Sequence, residues 1–168
     1  MRVPITDGSP ELIFSARAES TLSCARAPHN LCAVTEASED HKQAIVTAFD
    51  PVEGRGQELF RFDLDLDSDR WFCEISPDGL RLAVSGGPEG PMRILSLRGQ
   101  PAQLIRAKNL KNMWTLHWAA DGKGLFVSSR SDTVPVLFHV DLQGNTLALW
   151  KESNLQSSST VSSFGDNL

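Results

Sequence analysis

The densest set of metal-capable side chains in the sequence is Asp63-Leu64-Asp65-Leu66-Asp67-Ser68-Asp69, whose alternating carboxylates are the kind of oxygen donor Ca²⁺ prefers. The spacing resembles the opening of a calcium loop. Such a loop also needs a glycine at its sixth position and a bidentate glutamate at its twelfth, where this chain has Ser68 and Glu74, the latter inside an expected strand. A solvated loop is therefore expected, and no metal ligand is assigned. His29, His41, His117 and His139 form no short ligand spacing such as His-x-x-x-His, and the cysteines offer no Cys-x-x-Cys. His117 and His139 fall in alternating segments, where a hydrogen-bonded structural histidine is the default. His29 and His41 are expected in loops.

Nucleophilic chemistry is equally thin. No Gly-x-Ser-x-Gly elbow is present, although Val84-Ser85-Gly86-Gly87 comes near one. The runs Gly86-Gly87-Pro88-Glu89-Gly90 and Gly54-Arg55-Gly56 are weak phosphate cradles, because neither leads into a Lys-Ser/Thr pair or a credible helix. They read as inter-strand loops. No catalytic, cofactor-binding or metal residue is assigned, and the chain is expected not to be an enzyme. Cys24, Cys32 and Cys73 are too few for a disulfide framework and read as three small buried apolar residues. Cys24 and Cys32 nevertheless flank the turn-like Arg26-Ala27-Pro28-His29-Asn30, a spacing that could set them opposite each other on adjacent strands. One structural disulfide stays open if the compartment is oxidising.

The elements that would position these residues must come from a chain of 168 residues, enough for one ordinary domain. Its 40% hydrophobic content suits a globular protein, and 21 acidic against 16 basic residues give no footprint for a phosphate backbone. Nucleic-acid binding by this segment is disfavoured. No stretch approaches the roughly 20 apolar residues of a spanning helix, so no membrane span is expected. The first ten residues lack the apolar core of a secretion signal, which leaves a cytoplasmic chain or a piece of a longer, periplasmic one.

An internal repeat organises the sequence. Ile75-Ser76-Pro77-Asp78-Gly79-Leu80-Arg81-Leu82-Ala83-Val84-Ser85 returns as Trp118-Ala119-Ala120-Asp121-Gly122-Lys123-Gly124-Leu125-Phe126-Val127-Ser128, an offset of 43 residues. Leu95-Ser96-Leu97-Arg98-Gly99-Gln100 then returns as Val140-Asp141-Leu142-Gln143-Gly144-Asn145. A period near 40–45 residues with several strands per unit is the spacing of propeller blades. The second unit predicts strands over 71–75, 80–84, 92–97 and 103–106, with a hairpin turn at Pro77-Asp78-Gly79. The third predicts 113–118, 124–128, 134–141 and 146–150. In a more degenerate first unit, 23–25, 31–35, 43–50 and 57–62 fit the same order, His29-Asn30 replacing the Asp-Gly turn. Residues 2–8 and 11–14 resemble the last two strands of a preceding unit.

The apolar-Ser-Pro-Asp-Gly turn and the later apolar-Asp-Leu-x-Gly turn, as in Val140-Asp141-Leu142-Gln143-Gly144, resemble the TolB-like, WD40-like β-propeller repeat. The resemblance implies an all-β propeller of about three four-stranded blades plus a partial one, an incomplete ring. On this basis residues 1–16 form the partial blade, 17–68, 69–110 and 111–150 the three blades, and 151–168 a flexible Ser-rich tail. It further implies a bacterial scaffolding or sensing module, in signalling proteins often joined to a winged-helix or Ser/Thr kinase domain.

The expected function is a non-catalytic interaction or sensing module that presents inter-blade loops to a protein or small ligand. The alternatives are the substrate-gating propeller of a peptidase lacking its hydrolase domain, or a truncated product without function. Trp71, Trp114, Trp118 and Trp150 are expected in packing between blades, one or two alternatively lining the ring's mouth as aromatic anchors. Arg81, Arg93, Arg98 and Arg106 are expected to cover the solvent face of the second unit. Unclosed sheet edges predict self-association or easy unfolding, and two half-rings could complete one propeller.

Overall fold

Antiparallel ladders account for every regular element among the residues described by this computed structural model, 12–17, 20–64, 71–85, 91–107, 110–131 and 134–151. The chain forms β1 (Thr21–Cys24), β2 (Cys32–Ala37), β3 (Gln43–Asp50), β4 (Gly54–Asp63), β5 (Phe72–Ile75), β6 (Arg81–Ser85), β7 (Met92–Ser96), β8 (Gln103–Ile105), β9 (Met113–Trp118), β10 (Gly124–Ser131), β11 (Val134–Asp141) and β12 (Thr146–Lys151). They make three four-stranded sheets in chain order, sheet 1 from β1 to β4, sheet 2 from β5 to β8 and sheet 3 from β9 to β12. Among the described residues no helix is long and apolar enough to cross a membrane.

Turn chemistry sets the hairpins. In sheet 2 the Ser76 hydroxyl donates to Asp78 at 2.5 Å and accepts the Arg81 N–H at 3.0 Å, while Asp78 also accepts the Leu80 N–H. Gly79 takes the left-handed conformation, φ +69°, that this closure requires. Burial alone would raise the Asp78 carboxyl, but the Ser76, Leu80 and Arg81 donors outweigh it and hold it below its ordinary value. Ser38 and Asp40 repeat the same bonds between β2 and β3, with His41 at φ +55° standing where sheet 2 has glycine. The first sheet therefore carries this turn one hairpin later than the sequence repeat places it. The β1–β2 connection at His29-Asn30 closes instead through Ala25 donating to the Leu31 carbonyl.

Gly54-Arg55-Gly56 is not a loop but the start of β4. Asp50 accepts the N–H groups of Val52 and Glu53, so the turn is complete within a few residues and Arg55 is already paired opposite Phe49. Elsewhere the expected strands hold to within a few residues at their ends.

Sheet 2 lies between the other two, and its second strand reads as an unbroken apolar run because both faces are covered. Leu82 and Val84 pack with Ala33, Val46 and Phe62 of sheet 1, while Ala83 joins Leu116, Leu125 and Val127 of sheet 3. The sheets approach one another most closely along their first strands, β5 lying beside both β1 and β9. Residues 12–17 carry no strand and cross the far face of sheet 1, where Phe14 packs on Phe49 at 4.7 Å between ring centroids. The remainder of the expected preceding strands, residues 1–11, and the expected tail from 152 onward lie outside the described residues.

Glu36 anchors that crossing. Its side chain is 7% exposed, accepts Arg55 at 2.6 Å and takes the backbone N–H of Arg17 at 2.9 Å. The Arg55 guanidinium holds its carboxyl below the ordinary 4.5 despite burial. Because the folded chain binds this proton less readily than the unfolded chain, stability is fully present above the ordinary value and falls as pH drops through the lowered one. Asp78 acts in the same direction. Thermal unfolding followed by circular dichroism should show a melting temperature that declines on acidification below pH 4.5, with a shallower decline in Glu36→Gln. An identical acid slope in the two proteins would remove Glu36 from the account.

Candidate functional site

The first strands β1, β5 and β9 bound an open cleft of about 520 Å³. Leu22, Phe72 and Trp114 supply its apolar wall, and Ser23, Glu74 and His117 its polar one. Leu22 and Trp114 are more than half exposed, so the cleft is lined by large apolar side chains that the core does not use.

Its polar residues occupy one repeated position. Each lies two residues before the residue whose N–H closes the first hairpin, Ala25, Ser76 or Ala119. Ser23 accepts the Ile75 N–H of the next sheet at 3.0 Å. Glu74 accepts the Trp118 N–H of the sheet after that, and its carbonyl takes the Trp118 indole N–H at 3.0 Å. The third residue of the series, His117, has a side chain 64% exposed, with Nδ1 3.4 Å from Glu74 Oε1. A strand edge offers every second N–H outward, and one side chain per sheet receives it. No single-sequence motif announces this device, because its three residues share no chemistry beyond accepting a hydrogen bond.

Sheet contacts also absorb residues expected on the surface. Arg81 stacks its guanidinium 4.7 Å from the Trp118 ring centroid, pairs with Asp78 at 3.2 Å and donates to the Gly122 carbonyl at 3.1 Å. Arg93 lies over Phe62 and donates to the Asp63 carbonyl at 3.1 Å. Both bridge sheets rather than cover a solvent face, since a long guanidinium can bury its plane on an aromatic of the next layer. Arg98 and Arg106 are exposed as expected.

The tryptophans divide. Trp118 is buried and Trp71 packs against the core of sheets 1 and 2, whereas Trp114 and Trp150 are exposed at 51% and 54%. Trp114 also borders a second hollow of about 410 Å³ with Arg130, whose guanidinium sits 5.6 Å from its ring centroid, and Pro135. Protein-family models and curated proteins give no match to this chain. The site is therefore read from its own chemistry.

Cys24 and Cys32 are not separate buried residues but a disulfide between directly registered partners of β1 and β2. Cys73 is buried, and burial pushes its thiol up, so it stays protonated near neutral pH. Ser85 is fully buried in β6, which removes the geometry of an exposed nucleophile elbow. His29 lies in the β1–β2 connection, and His139 meets Phe126 edge-on at 5.5 Å within sheet 3. Of the acidic run, Asp63 accepts the Gln43 side chain at 3.0 Å, while Asp65, Asp67 and Asp69 lie outside the described residues, as do Gly86 to Gly90. Among the described residues no three His, Cys, Asp or Glu side chains converge as a metal site.

Proposed function

We propose that the three sheets are successive blades of an incomplete β-propeller, and that the chain is a non-catalytic binding module whose contact surface is the cleft along β1, β5 and β9. The observation that carries this reading is the side-by-side packing of the three first strands, each the origin of its own four-stranded meander. Propellers place first strands around a central channel in this way. The cleft also joins exposed apolar surface to polar groups engaged in holding the sheets, which suits recognition by a rigid scaffold better than bond-making chemistry. The strand surface, rather than the inter-sheet loops alone, then provides the contacts.

A partner for such a surface is a short peptide or oligosaccharide able to cover Leu22 and Trp114 while hydrogen-bonding Glu74 or His117. Titrating isotope-labelled protein with a panel of both, followed by amide chemical shifts, should move Leu22, Glu74, Trp114, Thr115 and His117 together. Shifts confined to other surfaces, or none across the panel, would remove the cleft as the binding site.

A further inference from the structure

We propose that a second copy of this chain docks its sheet 1 on the open side of sheet 3, β1 of the partner subunit lying beside β9, with His117 Nε2 accepting the N–H of the partner's Cys24. The proposal rests on reading the sheets as blades and names the partner of their open end.

Three observations carry it. The first is the repeated acceptor. Ser23 receives the Ile75 N–H and Glu74 receives the Trp118 N–H, so each sheet reaches toward the next with the residue at one position. His117 holds that position in the last sheet. With Nδ1 turned to Glu74 Oε1, the tautomer that donates to the carboxylate leaves Nε2 as an acceptor on the other side of the ring.

The second is the matching donor. Ala25 donates to Leu31, so in the alternating antiparallel pattern the neighbouring pair Cys24 and Cys32 directs its N–H groups away from each other. Ile75 and Trp118 stand in the same relation to the Ser76 and Ala119 closures, and their N–H groups are the ones taken by the preceding sheet. Cys24 thus presents, at the other end of the chain, the donor that His117 lacks. Leu22, two residues before Cys24 and also part of the cleft wall, is 56% exposed.

The third is the face itself. By register, the side of sheet 3 turned from the core carries His117, Phe126, His139 and Leu147 in one row, and Leu137 and Trp150 in the next. Leu147 and Trp150 are more than half exposed there. Residues 12–17 cross the face of sheet 1 turned from sheet 2 over Phe49, Gly54 and Glu36, so the contact left to the other copy is made by β1 with Leu22 and Cys24. A head-to-tail contact made twice closes two copies into a ring. The three sheets described in each copy together number six, within the usual range of about 4–8 for closed propellers.

Sedimentation of the full chain across a concentration series should show a discrete dimer of twice 18.4 kDa. His117→Leu, at an exposed position, should weaken the dimer about a hundredfold, because the contact is made twice and each loses one hydrogen bond, about tenfold apiece, with its donor left unpaired. His117→Gln, whose amide can donate to Glu74 while its oxygen accepts, should restore it, and Leu22→Arg should also dissociate it. A monomer, an open series of larger species, or an unchanged dimer in His117→Leu overturns the proposal. If the protein is monomeric yet peptides or oligosaccharides still move the cleft amides, the binding-module reading survives alone. If it dimerises while no probe binds, the dimer stands and that reading falls.

Discussion

Trp118→Ala should cost about 3–5 kcal/mol of unfolding free energy, the range for removing a buried tryptophan from a packed core. The ring is 3% exposed and lies among Leu116, Leu125 and Val140 of its own sheet and Ala83 and Ile94 of sheet 2. Three interactions between sheets end on this residue: its backbone N–H to the Glu74 carboxylate, its indole N–H to the Glu74 carbonyl, and its π face under Arg81. Alanine keeps only the first. The cavity opens at the junction of two sheets, and Arg81 loses the surface on which its charge is partly buried. Trp118→Phe should cost less, roughly 1–2 kcal/mol, because it keeps an aromatic face for Arg81 and loses mainly the indole hydrogen bond. Urea unfolding followed by far-ultraviolet circular dichroism measures both without relying on tryptophan emission. An alanine loss below about 1 kcal/mol would mean that sheets 2 and 3 are not held together at this ring.

The sheets were legible in the sequence because hairpin chemistry is local. Ser76, Asp78 and Gly79 close a turn through their own side chains and backbone, and the Asp141 turn does the same, so strand order follows from residues a few positions apart. The turn at Ser38 escaped because His41 occupies the left-handed position where the repeat has glycine. What alternation does not encode is which layer a side chain meets. Arg81 and Arg93 alternate with apolar residues as surface arginines do, yet each finds an aromatic ring of a neighbouring sheet.

Trp114 shows the same limit within one strand. Four residues from Trp118, it belongs on the same face by the period of two. A register shift between Ser128 and Ser129 leaves Thr115 and Met113 as the paired residues and Trp114 between them, which turns its ring out toward Arg130. The aromatic anchor of the candidate cleft is thus made by a bulge that residue types alone do not announce. Its polar partners were visible only as scattered residues, a serine, a glutamate and a histidine at unequal spacing. Their equivalence emerges once Ala25, Ser76 and Ala119 are seen to close the same hairpin.

Gly144→Ala should cost roughly 2–4 kcal/mol, from two terms that a companion substitution separates. Gly144 sits at φ +89° in the β11–β12 turn, a conformation that any Cβ penalises by about 1–2 kcal/mol. A Cβ there would also stand 2.8 Å from the carbonyl oxygen and 3.2 Å from the carbonyl carbon of Arg106. Both obstacles are backbone and cannot rotate aside. The approach is close because this turn docks on the chain leaving sheet 2, where the Gln103 side chain donates to the Leu142 carbonyl at 2.6 Å. Gly99 holds the corresponding place in sheet 2 at φ +75°, but a Cβ there meets nothing within 4 Å. Gly99→Ala therefore reports the backbone term alone, and the excess loss in Gly144→Ala reports the docking of sheet 3 against sheet 2. Equal losses in urea unfolding would mean that the turn does not press on Arg106, and that the outer strands of the two sheets are joined more loosely than their first strands.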